Sequence, residues 1–285
     1  MFDQTTSSTL EDATPRPVLP GVTFGQATDP GRLREENEDH FGVAPDIGFF
    51  VVTDGVGGAP AGAIAARLAT AEMLRSLRAT GGRHACGASP EAAQADDPSH
   101  GPRSVPETHA PRLIAAALGA HQMIRNFAAR KGALGAATTM AALWVTGQHF
   151  HVANTGDSRV YRLTDAGLEQ LTKDHTLVQE YTESHGAPPD SWPGHMHNVV
   201  TQVLGGRSAR IPNVHVRSHP LVEPEVFLLC TDGLTKMVDE ADIAFVLRAS
   251  TTPQQAADVL VELANDWGGL DNITCVVVHA EPSQA

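Results

Sequence analysis

VVTDGVGG (residues 51–58) and LLCTDGLT (residues 228–235) are built alike: an apolar run with the character of a buried strand ends at Asp-Gly. Asp-Gly alone is an ordinary turn pair. Two such ends, at Asp54 and Asp232, predict strands that carry carboxylates to a common edge with something cationic between them. Further acids sit against strand-like runs. Glu38 and Asp39 precede HFGVA (40–44), Asp157 lies in NTGDSRVY (154–161), and Asp271 precedes NITCVVV (272–278). Each of these acids by itself reads as a turn residue, so the signal is the set.

Carboxylates brought together in a partly buried volume raise one another's pKa, and their removal from water costs more still. A divalent cation resolves both problems. An oxygen-only donor set, with no CxxC pair and no regularly spaced His, suits Mg²⁺ or Mn²⁺ rather than zinc. Glycine behind each Asp is expected to let the backbone turn tightly and to let a carbonyl or water approach the ion.

Around these ends the chain reads as α+β. Strand-like runs occur at 22–28, 40–44, 47–53, 213–219, 225–231 and 273–280, and a series at 138–146, 149–155 and 158–163 predicts an antiparallel meander. Helical spacing covers 58–79, 111–132, 239–250 and 252–268, with cap residues Asp239 and Thr252. Two antiparallel sheets packed face to face, with helices outside, use all of these elements.

Composition sets the outer bounds. The chain has 285 residues and is 41% hydrophobic, enough for one large domain with a sizeable core. A net charge of −13 disfavours nucleic acid and anionic lipid as partners. Cys86, Cys230 and Cys275 are an odd number, widely spaced, which fits a reducing compartment and not a disulfide framework. Residues 1–20 are polar and rich in Ser, Thr and Pro, a disordered lead without the apolar centre of a signal peptide. With no apolar run reaching the roughly 18 residues of a membrane span, the expected location is the cytoplasm and the expected state a monomer. The segment 80–110, full of Gly, Pro, Ser and His, reads as a disordered insertion.

REENED (34–39), VVTDGVGG, NTGDSRVYRL (154–163), LTKDH (171–175), LLCTDGL and DNITCVVV (271–278) follow one another in an order that resembles the metal-dependent protein phosphatase family of the 2C type, in its short bacterial form. The resemblance runs from about residue 22 to about 280 apart from the insertion, so 21–281 is expected to be a single phosphatase domain. It implies a four-layer α-β-β-α sandwich with two Mn²⁺ or Mg²⁺ ions in a cleft at one edge. Asp54 would bridge the ions and the Gly55 carbonyl would bind one of them. Asp232 and Asp271 would hold the second, and Glu38 and Asp39 would hold metal-bound waters. Asp157 with Asp232 would bind a third, weaker ion, and Arg34 would grip the substrate phosphate. The implied activity is hydrolysis of phosphoserine and phosphothreonine in proteins by a metal-bridging water or hydroxide, opposing a bacterial Ser/Thr kinase.

The chain departs from that pattern in places. Val56 stands where many members carry His after the first Asp-Gly, so the acid for the leaving alkoxide is open between a metal-bound water and His175. The GTT before the central strand reads ATT, with Ala137. The stretch 177–206 matches the family's flap, and its Pro, Gly and His content predicts a loop over the cleft, with His195 and His197 solvated. Two other readings share these residues: a catalytically silent relative acting as a binding module, and a hydrolase of small phosphate esters.

Overall fold

Every side chain of the run FFVVT ahead of Asp54 is buried, because both faces of its sheet are covered. In this computed structural model, which describes residues 18–58, 60–81, 109–189, 191–208 and 211–283, the strands are β1 (Val22–Asp29), β2 (His40–Ala44), β3 (Phe49–Thr53), β4 (Gly55–Val56), β5 (Ala137–Thr138), β6 (Met140–Val145), β7 (His149–Thr155), β8 (Arg159–Thr164), β9 (Gly167–Gln170), β10 (Leu204–Gly205), β11 (His215–Pro220), β12 (Glu225–Cys230) and β13 (Ile273–Ala280). The helices are α1 (Ala61–Gly81), α2 (His109–Lys131), α3 (Leu177–His185), α4 (Asp232–Thr235), α5 (Glu240–Ala249) and α6 (Pro253–Asp266).

Two five-stranded antiparallel sheets form the centre, in the orders β1-β13-β12-β8-β9 and β11-β7-β6-β3-β2. Alternation along each strand builds three cores. Phe50 and Val52 of β3 meet Phe227 and Leu229 of β12 and Val276 and Val278 of β13 between the sheets. Phe49 and Val51 point the other way, onto α1 and α2 through Met73, Leu77, Leu113 and Ile124. Leu228 and Cys230, with Cys275 and Val277, pack under α5 and α6 against Ile243, Leu247 and Leu260. The period of two thus sends successive residues into different cores, and the strand reads as continuously apolar. The α+β sandwich with helices outside both sheets is as expected.

Local signals place the outer helices. Asp239 accepts from the Asp242 N–H at 2.8 Å, and Thr252, ahead of Pro253, accepts from the Gln255 N–H at 3.1 Å. The segment 80–110 is narrower than expected, since α1 runs to Gly81 and α2 begins at His109. Residues 82–108, with Cys86, lie outside the described residues, as do 1–17 of the N-terminal lead. Leu19, within that lead, packs against the inter-sheet core. Cys230 and Cys275, 45 positions apart in sequence, are register partners across β12 and β13, buried with free thiols.

Two expectations are corrected. The meander does not stay in one sheet: β6 pairs with β7, but β8 pairs with β12 and β9 in the other sheet. The turn 156–158 therefore crosses between the sheets at the edge of the sandwich. The flap stretch 177–206 is not all loop. It opens with α3, capped by Thr176, continues through a 3-10 turn at Gly194–Asn198 and ends in β10, part of a small third sheet β10-β5-β4. Helix α3 buries none of its residues, and it sits at the head of a stretch whose Pro, Gly and His content reads as loop.

Candidate metal centre

Residues from six separate segments line an open pocket of about 420 Å³ at one edge of the sandwich: Arg34, Glu38, Asp54 to Gly58, Asp157, Asn198 with Val200, Asp232 with Lys236, and Asp271 with Asn272. Seven of the eight residues predicted from sequence are in it. Asp39 is the exception. It lies behind the pocket wall, where Thr231 Oγ1 donates to its Oδ2 at 2.7 Å.

Hydrogen bonds to backbone fix each position. The Asp54 N–H donates to Thr139 Oγ1 at 3.0 Å, and its carbonyl accepts from the Thr139 N–H and Thr138 Oγ1, both at 2.8 Å. Thr139 Oγ1 also lies 2.6 Å from Ser158 Oγ, which ties the sheet-crossing turn, and so Asp157, to Asp54. Asn272 gathers the loop ahead of β2: its Oδ1 accepts from the Glu38 N–H at 2.8 Å, and its Nδ2 donates to the carbonyls of Pro30 and Glu36 at 2.9 Å.

The glycines behind the two aspartates have a different reason from the expected one. Neither Gly55 nor Gly233 has a positive φ. A Cβ on Gly55 would come within 2.4 Å of the Gly62 backbone, and one on Gly233 within 1.9 Å of the Asn272 carbonyl. They are glycines because another strand of backbone passes where a side chain would be. Gly62 is of the same kind, since a Cβ there would lie 1.9 Å from Glu38 Oε2.

The carboxylates are short of positive charge. Buried oxygens Asp39 Oδ1, Asp157 Oδ1 and Asp232 Oδ1 have no hydrogen-bond partner. Burial first, then the charges of Asp232 and Asp271, push Asp39 up to about 7. Asp157 is likewise pushed up to about 7 by burial and Asp232, with Lys236 acting the other way. Asp54 is held well above the usual carboxylate range by burial and by Asp39, Asp232, Asp157 and Asp271. Such a set of oxygen donors fits divalent cations of the Mg²⁺ and Mn²⁺ kind. Among the described residues no three His, Cys, Asp or Glu side chains stand close enough together to hold a metal ion as they are. Two side-chain cations reach the acids instead. Arg34 Nη2 pairs with Asp271 Oδ1 at 3.0 Å, while Lys236 Nζ pairs with Asp232 Oδ2 and lies 3.7 Å from Asp271 Oδ2.

Lys236 and Asn272 are the site residues that sequence reasoning missed. The signal for Lys236 was its spacing of four from Asp232, one helical turn. His175, one of the two candidates for the acid, is withdrawn. It is buried, does not line the pocket, and its Nδ1 accepts from the Gly156 N–H at 3.1 Å. Burial, then His215 and Lys173, lower its pKa, so it stands neutral as a prop for the crossing turn. Arg159 and Asp174, from the GDSR and TKDH stretches, form a structural clamp with contacts of 2.6–3.1 Å. The side chains of His195 and His197 lie outside the description.

The protein phosphatase 2C family model matches residues 34–265. The serine/threonine phosphatase Stp of Listeria monocytogenes is 30% identical over 261 residues, covering 90% of this chain and 95% of that protein. The Streptococcus agalactiae serine/threonine phosphatase structure superposes with a TM-score of 0.75 at 27% identity, covering 91% of this chain and 100% of the other. The catalytic domain of the serine/threonine protein phosphatase PstP, solved in complex with two manganese ions, superposes with a TM-score of 0.72 at 25% identity over 91% of this chain and 99% of that one. With the sandwich and its edge pocket, these similarities establish that the chain belongs to the protein phosphatase 2C family and is a phosphatase of the bacterial Ser/Thr type.

Proposed function

We propose that the protein is a metal-dependent phosphatase that hydrolyses phosphoserine and phosphothreonine in proteins and opposes a bacterial Ser/Thr kinase, with 21–281 as its single catalytic domain. The observation that carries this reading is the group of carboxylates with buried, unpartnered oxygens beside a pocket-lining arginine.

Asp54, the Gly55 carbonyl, Asp232 and Asp271 would hold two Mn²⁺ or Mg²⁺ ions, and Glu38 and Asp39 would hold waters around them, although Asp39 does not itself line the pocket. When bound, such ions activate a water nucleophile and neutralise phosphoryl charge. The chain's own groups do the rest. Asp271 holds the Arg34 guanidinium over the opening, where its planar fork suits two phosphoryl oxygens. Arg34 also gives a phosphorylated partner a local positive charge on a protein of net charge −13. Threonines 138 and 139 tie down the Asp54 backbone, and so the point from which its carboxylate projects. Val56 lines the pocket and offers no proton, so no side chain is assigned as the acid for the leaving alkoxide.

The cytoplasm is the compartment we infer, since the buried free thiols and the substrate class both suit it. No helix among the described residues is long and apolar enough to cross a membrane. The test is turnover of a phosphothreonine peptide after chelation and again with Mn²⁺, beside a sugar phosphate. Peptide turnover that vanishes on chelation and returns with Mn²⁺ supports the reading. Turnover of the sugar phosphate alone moves the activity to small esters, and no turnover with metal bound overturns it.

A further inference from the structure

Among the described residues, Lys236 is the one pocket-lining cation besides Arg34, and it stands where the family resemblance implies a third ion. It follows the short helix α4, with its N–H bonded to the Asp232 carbonyl at 2.8 Å. One helical turn therefore returns its side chain to the Asp232 carboxylate. The ammonium pairs with Asp232 Oδ2, lies 3.7 Å from Asp271 Oδ2 and acts electrostatically on Asp157. Asp157 and Asp232 are the two residues a third ion would need. A divalent ion between them would meet the ammonium at close range, where like charges in a poorly solvated pocket repel strongly.

The charge count points the same way. Glu38, Asp39, Asp54, Asp157, Asp232 and Asp271 contribute six formal negative charges, Arg34 and Lys236 return two, and two divalent ions supply the other four. Counting Asp39 behind the wall with the five pocket acids, a third divalent ion would leave the cluster in positive excess.

Resting on the metal-centre reading above, we propose that Lys236 is a tethered cation in the place of a third divalent ion, so that the loaded protein holds two ions and Asp157 serves the lysine. The protein thereby keeps, without dependence on metal concentration, a positive charge that a weakly bound ion would supply only part of the time.

The test counts ions directly, by Mn²⁺ titration of the full chain with free Mn²⁺ read by electron paramagnetic resonance. Wild type is expected to saturate at two ions per chain. Lys236→Asp and Lys236→Ala are expected to gain a third, weaker site, and Asp157→Asn placed on either is expected to remove it. Asp157→Asn alone should leave the wild-type count at two. A wild-type count of three, or a count that falls with Asp157→Asn alone, overturns the proposal and leaves the two-ion reading standing. A count of two in both folded Lys236 variants also overturns it. A wild-type count below two overturns both readings. If the Lys236 variants do not fold, the wild-type count and the Asp157→Asn count still decide.

Discussion

Asp54-Gly55 and Asp232-Gly233 look interchangeable in sequence and are handled differently by the fold. The first is a bridge between strands β3 and β4, its backbone tied to Thr138 and Thr139. The second opens helix α4, and its carboxylate already has the Lys236 ammonium as a partner. Asp54 is pressed by burial and four other aspartates, with no cation among the causes of its shift. The same dipeptide thus makes one carboxylate surrounded only by other acids and one that already has an ammonium partner.

That contrast can be broken by truncation. Asp54→Ala and Asp232→Ala should each lower kcat by on the order of 10²–10³-fold, the scale of one lost electrostatic contact in an active site. Their metal-free stabilities should diverge. Asp54→Ala relieves repulsion and should raise the Tm at pH 7.5, whereas Asp232→Ala strands Lys236 and should not. Equal Tm shifts in scanning calorimetry would erase the distinction. The glycines sharpen what the two sites share. Gly55→Ala and Gly233→Ala should each cost about 1–3 kcal/mol or more in urea unfolding, because the new methyl meets backbone. A cost below about 0.5 kcal/mol at either would mean that the neighbouring backbone gives way.

Asn272→Ala removes three hydrogen bonds that hold the loop before β2. It should weaken Mn²⁺ binding roughly ten- to hundredfold, as loss of a supporting contact does, in a calorimetric titration. Arg34→Ala should raise KM for a phosphopeptide by about tenfold, roughly 1.4 kcal/mol, and barely change stability, since its pair with Asp271 is half exposed. An unchanged KM would move phosphate recognition elsewhere.

A further test, on the carboxylates as a set, concerns pH. Asp39 and Asp157 titrate near 7 in the folded chain and near 3.8 when unfolded. The folded state therefore prefers their protonated forms. Their contribution to stability is present below about pH 4 and is lost as pH rises to 7. The Tm of chelated protein should fall across that window, and added Mn²⁺ should raise it by a few degrees more at pH 7.5 than at pH 5. A Mn²⁺ effect independent of pH would separate those two carboxylates from the metal.

Much of the site was legible because strand ends in a two-faced sheet are marked by where apolar runs stop, and all six acids stand at such stops. The sandwich followed from the same runs. What escaped had no such marker. Helix α3 is nine residues long and buries nothing, so no core contact marks it, and the Pro, Gly and His that follow it read as loop. The passage of β7 into β8 reads as a hairpin, because a short turn within a sheet and one between sheets use the same residues. Lys236 looks like a surface lysine until the helix after Asp232 is counted out. For the two glycines a further cause escaped the sequence, since a collision with distant backbone leaves no local trace.

Strand β1 pairs along its whole length with β13, and the pocket draws on Glu38 and Asp271 alike. During synthesis, the first strand must wait without its partner until the thirteenth has emerged, and Asp271 arrives only just ahead of it. A growing chain that has not yet added Asp271 and β13 therefore lacks both the partner of its first strand and one wall of the pocket, so strand pairing and pocket are completed together.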